Sequence, residues 1–104
     1  MSSTLFACYR EPDDPAAFDR HYDEVHRGLA LALPGLRSFT GTHPTAGPDG
    51  AAPAYYFIAV LTFDDDAALG AALSGPEGQA AVADLPNFAG AGVDLMTGPT
   101  ATYS

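Results

Sequence analysis

The chain has 104 residues, 47% apolar and 16% charged, with 13 acidic residues against 4 basic ones and a net charge of −9. That length fits one compact domain with a thin core. The acidic balance excludes nucleic acid and anionic membrane as partners, since both are bound through basic patches.

"TLFACYR" (4–10) is short, apolar and aromatic, and reads as a first strand. Its Cys8 is the only cysteine. It can form no internal disulfide, which suits a reducing cytoplasmic setting, and mid-strand it reads as a small buried hydrophobe. No basic stretch precedes an apolar run at the N-terminus, so no secretory signal is expected. "EPDDP" breaks the strand, and Asp14-Pro15 has the form of a helix start, an Asp cap before a proline in the first turn. The helix that follows carries Phe18, Tyr22, Val25, Leu29 and Leu33 at helical spacing, and Pro34-Gly35 stops it.

A second strand is expected over 36–43, weakened by Gly41, and a turn-rich loop follows from Gly41 to Ala54. "AYYFIAVLTF" (54–63) has the strongest strand signal in the chain. It is too short to cross a bilayer as a helix. A second helix opens after the aspartates of "FDDDAALGAAL" and breaks near Ser74–Pro76. There Ser74 and Glu77 have capping-box spacing. "GVDLMTGPTATY" (92–103) is the last strand, and Pro99 marks it as an edge or a bulge. The order β-α-β-β-α-β predicts an α+β, ferredoxin-like single domain over 1–104: a four-stranded antiparallel sheet with both helices on one face.

The strand 54–63 is apolar on both alternating sets: Tyr55, Phe57, Ala59, Leu61 and Phe63 on one, Tyr56, Ile58, Val60 and Thr62 on the other. Two helices cover one face only. The other face would be a bare apolar patch, so a homodimer closed sheet to sheet, a dimeric α+β barrel, is expected. Cover from loop 41–54 or the C-terminal tail is the alternative.

The first helix holds two of the three histidines. A helical zinc pair sits four residues apart. His21 and His26 are five apart, so in a regular helix of about 3.6 residues per turn they diverge by about 140°. No metal is expected. On the helical wheel His26 lies about 60° to one side of the apolar stripe and His21 about 80° to the other. His26 shares its side with Tyr22, one turn earlier. An imidazole is the natural proton shuttle near neutral pH, and with a phenol and an apolar pocket it can serve cofactor-free proton transfer. His26 and Tyr22 are the candidate catalytic residues, and Tyr9, Phe57, His43 and Phe88 the candidate ligand-binding ones. Arg37 and His43 share a strand face with Phe39, and a surface role suits both as well. His21 reads as a border residue of the helix. No nucleophile elbow is present, and "GPEGQ" lacks the basic residue and strand context of a phosphate loop.

One set of residues resembles a known family. It comprises Tyr9; Phe18, Tyr22 and His26; Pro34, Gly35 and Leu36; Phe63 and Asp64; Ser74, Pro76, Glu77 and Gly78; and Asp84, Leu85, Asn87, Phe88 and Ala89. Together they resemble the EthD family of small dimeric α+β barrel proteins, from Tyr9 to about Met96. The resemblance implies a ferredoxin-like dimer with a pocket between helices and sheet and His26 projecting into it. Where many relatives carry proline two residues after this histidine, the chain has Gly28, which would loosen the helix or make room for a ligand. Related barrels include cofactor-free monooxygenases, polyketide cyclases, decarboxylases or dehydratases and haem-binding peroxidases; haem is not expected here.

The expectation is a small cofactor-independent enzyme acting on an apolar aromatic or polyketide-like metabolite, with His26 as general acid/base. Cyclisation, decarboxylation or dehydration, and monooxygenation fit it equally. The alternative is a non-catalytic hydrophobic-ligand-binding or accessory protein. A purely structural role predicts a filled core, whereas a drug-sized site beside His26 needs a cavity of at least about 300 Å³.

Overall fold

The computed structural model describes residues 1–104. Its elements are β1 (Ser2–Tyr9), α1 (Pro15–His21), a π-helical turn (Tyr22–His26), α2 (Arg27–Leu31), β2 (Leu36–Thr42), β3 (Phe57–Phe63), α3 (Asp66–Ser74), α4 (Pro76–Asp84), a short 3₁₀ turn (Leu85–Asn87) and β4 (Val93–Thr100). The strands form one antiparallel sheet in the order β2-β3-β1-β4. This is the ferredoxin-like α+β arrangement that the element order predicts. Pro99 lies on β4, an edge strand, where a missing N–H does no harm.

Local chemistry sets the helix boundaries. Asp14 accepts from the Ala17 amide at 3.1 Å and Asp65 from the Ala68 amide at 2.8 Å. The break at Ser74–Pro76 is present, but the Ser74–Glu77 capping box is not formed. Gly75 takes the cap position of α4, and the Ser74 hydroxyl donates back to the Gly70 carbonyl at 2.8 Å. Gly78 lets α3 and α4 approach: a Cβ there would lie 2.3 Å from the Leu73 carbonyl oxygen.

Leu5, Ala7 and Tyr9 of β1 and Ala59, Leu61 and Phe63 of β3 face the helices and form the core with Phe18, Tyr22, Ala30, Leu33, Leu69 and Ala72. The opposite face carries Phe6, Ile58, Val60 and Met96, with Phe6 and Met96 39% and 50% exposed. No helix is long and apolar enough to cross a membrane.

Tyr55 and Tyr56 depart from the strict alternation expected of them. The strand begins only at Phe57, after a bend. Tyr56 therefore turns to the helix side, where its hydroxyl donates to Asp19 at 3.0 Å, and the Tyr55 hydroxyl donates to Asp94 at 2.8 Å.

Candidate active site

The first helix is not one regular α-helix. Between α1 and α2 the Arg27 amide reaches the Tyr22 carbonyl, five residues back, which widens one turn. The widened turn moves the buried stripe by one position. Phe18, Tyr22, His26, Ala30 and Leu33 face inward, while Val25, expected in the stripe, is exposed.

This turn corrects the reading of the two histidines. Their five-residue spacing diverges on an α-helix but comes into line across a π turn. Both converge on Asp84 at the end of α4. His26 Nδ1 lies 3.0 Å from Asp84 Oδ2, and His21 Nε2 lies 2.9 and 3.0 Å from the two carboxylate oxygens. Asn87 donates its side-chain amide to Asp84 Oδ1 at 2.9 Å. The carboxylate is 6% exposed. Burial works against its charge, but the hydrogen bonds from Asn87, His21 and His26 outweigh burial and hold its pKa below the usual carboxylate value. An ionised Asp84 accepts, so His26 donates through Nδ1–H and keeps its lone pair on Nε2. No protein group hydrogen-bonds that Nε2.

Burial pushes the His26 pKa down, Asp84 pulls it back, and nearby His21 lowers it again; the net direction is below the ordinary 6.5. His26 is therefore a neutral base at neutral pH. Burial also raises the pKa of the Tyr9 and Tyr22 phenols, which stay protonated and able to donate. The aromatic packing fixes these rings. Tyr22 lies 5.3 Å from His26 and 5.8 Å from Tyr9 between ring centroids, and Phe88 lies 4.7 Å from His26 and 5.1 Å from His21.

His26, Tyr22 and Tyr9 line a cavity of about 150 Å³ between helices and sheet. That is half the drug-sized volume anticipated, yet it is not a filled core. Small residues create it: Ala7 and Ala59 on the sheet face Ala30, Gly78 and Ala81 on the helices. It opens toward Val82 on α4 and Leu95 on β4, both about half exposed.

Three expected ligand-binding residues sit outside this cavity. Phe88 backs the two imidazoles. Phe57 packs edge-on against Tyr22 at 4.8 Å between ring centroids, and exposed His43 lies tilted against Phe57 at 4.8 Å. Gly41 makes room for the Phe57 ring, which lies 2.3 Å from where a Cβ would be. Arg37 is a surface residue paired with Asp64 at 2.7 Å. Sequence reasoning missed Asp84 as a site residue. Its signal was an acid at apolar spacing on α4, which burial obliges to find donors. No group of three or more His, Cys, Asp or Glu is placed to hold a metal ion.

Residues 10–92 match the EthD domain family. An uncharacterised 11.0 kDa protein of Rhodococcus erythropolis, encoded in the thcB–thcC intergenic region, is 41% identical over 88 residues, 85% of this chain and 84% of its own. Among solved structures, an EthD-family protein from Bacillus halodurans superposes with a TM-score of 0.89 at 35% identity, over 97% of this chain and 100% of its own. A dimeric ferredoxin-like protein of unknown function from Jannaschia sp. gives 0.68 at 26% identity, over 96% and 100%. SnoaB, a cofactor-independent oxygenase from Streptomyces nogalater, shares the fold at a TM-score of 0.70 and 15% identity, over 98% and 95%. The family match spans most of the chain and the identities extend over nearly all of it, so the chain belongs to the EthD family.

Proposed function

We propose that the protein is a small cofactor-independent enzyme that moves a proton on an apolar aromatic or polyketide-like metabolite. His26 Nε2 is the general base and then the general acid, and Tyr22 with Tyr9 orients the substrate oxygen. The observation that carries this reading is the His26 geometry: Nδ1–H is spent on Asp84, and the unpartnered Nε2 belongs to a ring that lines an apolar cavity. In such a site His26 takes a proton from a carbon or oxygen acid, and a neutral phenol hydrogen-bonds the oxyanion that forms. Cyclisation, decarboxylation or dehydration, and monooxygenation can all begin with that step. SnoaB, on the same fold, is a cofactor-independent oxygenase.

The working unit in this reading is a homodimer, closed over the sheet face that carries Phe6, Ile58, Val60 and Met96. The dimeric Jannaschia relative supports it. The unpaired, buried Cys8 supports a cytoplasmic location.

The test is solvent deuterium exchange at the α-carbon of small cyclic ketones in D₂O, followed by NMR. The wild type is expected to accelerate exchange, and His26→Ala to lose at least about 100-fold of that acceleration. A wild type that binds the ketone without exchanging it would make the protein a non-catalytic carrier, and an unaffected His26→Ala would reject His26 as the base.

A further inference from the structure

The cavity also restricts what can occupy it. Its volume is about 150 Å³, and an apolar cavity of about that size takes up a benzene-sized molecule. Drug-sized ligands need about 300 Å³ or more. Its polar groups are unevenly placed. Along β1 the inward residues run Tyr9, Ala7, Leu5, and their partners on β3 run Phe57, Ala59, Leu61. The phenols and His26 therefore stand at one end, and leucines stand at the other. Thr97, opposite Leu5 on β4, is exposed at the rim.

Charge narrows the choice further. The chain has only four basic residues, Arg10, Arg20, Arg27 and Arg37, and none of them lines the cavity. An anionic ligand would meet no cation there and would lie close to the ionised Asp84 behind His26. Burying an unpaired charge is costly.

We propose that the ligand is an uncharged molecule of single-ring size, with one hydroxyl or carbonyl group held at the His26–Tyr9–Tyr22 end. Larger ring systems fit only by leaving rings outside, past Val82 and Leu95. The proposal rests on the same cavity as the catalytic reading but makes a separate claim, about size and charge.

The experiment is a set of NMR titrations of the intact protein at neutral pH with phenol, benzoate and 2-naphthol. Phenol is expected to saturate the residues around the cavity. Benzoate is expected to bind at least about tenfold more weakly, for want of a counter-charge. 2-Naphthol is expected to bind more weakly than phenol, although it is the more hydrophobic of the two. Ala81→Leu, which narrows the space from α4, is expected to abolish phenol binding; should that variant not fold, the wild-type ranking decides alone. Benzoate binding as tightly as phenol, or naphthol binding tighter, overturns the proposal. Loss of the size ranking with His26-dependent exchange intact overturns the ligand class only. Phenol binding without exchange overturns the catalytic reading only.

Discussion

A carboxylate that is 6% exposed must lose its charge or find donors, and Asp84 finds three: Asn87, His21 and His26. The pairing gives His26 a fixed tautomer, and it leaves the basic nitrogen without a protein partner. It also has a pH consequence. His26 and Asp84 both have folded pKa values below their ordinary 6.5 and 3.8. Over each window the unfolded chain binds more protons than the fold does, so stability rises with pH. The His26 contribution is complete above 6.5 and is lost as pH falls through its lowered pKa; the Asp84 contribution follows below 3.8. A His26 pKa below 6.5 leaves the imidazole neutral at pH 7, the form that the proposed proton abstraction needs.

At the scale of elements, the π turn governs the site and two glycines set its surroundings. Gly28 lies in α2, where a Cβ would meet nothing within 4 Å, and the helix runs through it to Leu31. Gly28→Ala should therefore stabilise the protein by about 0.5–1 kcal/mol. Gly78→Ala drives a methyl into the Leu73 backbone and should cost about 1–3 kcal/mol or more. Urea melts of the two variants check both signs. Much of this level was legible beforehand. The two-sided apolar strand (expected over 54–63, observed over 57–63), the Asp14 cap, an aspartate cap before the Ala-rich helix (observed at Asp65) and the Ser74–Pro76 break are all local patterns, and local patterns can be read from local sequence. The π turn was not legible. Nothing in "HYDEVH" calls for a wider turn; it is seen only with Asp84, 58 residues further on, held against His26. A wheel drawn at uniform pitch necessarily sent His21 to the wrong side. The cavity was also illegible, because it depends on small residues from four elements meeting at one level: Ala7, Ala59, Ala30 and Gly78.

For the whole molecule, one sheet face is buried under helices and the other carries half-exposed Phe6 and Met96 beside Ile58 and Val60. A patch of this kind calls for cover. Light scattering at micromolar concentration should give twice the 10.7 kDa chain mass. Phe6→Glu should shift the protein to monomer, while a folded monomer in the wild type would contradict the sheet-to-sheet closure. The cavity opens between α4 and β4, at Val82 and Leu95, on the helix side of the sheet and away from the face that carries Phe6 and Met96.

The central claim is that His26 is a neutral base whose Nδ1–H is held by Asp84. A pH titration of the imidazole ¹⁵N and ring-proton resonances tests it without knowledge of the substrate. The account predicts the Nδ1–H tautomer, a His26 pKa below 6.5, and a further fall in Asp84→Asn, where the carboxylate that pulls the pKa up is gone. An Nε2–H tautomer, or a wild-type pKa above 6.5, would contradict it.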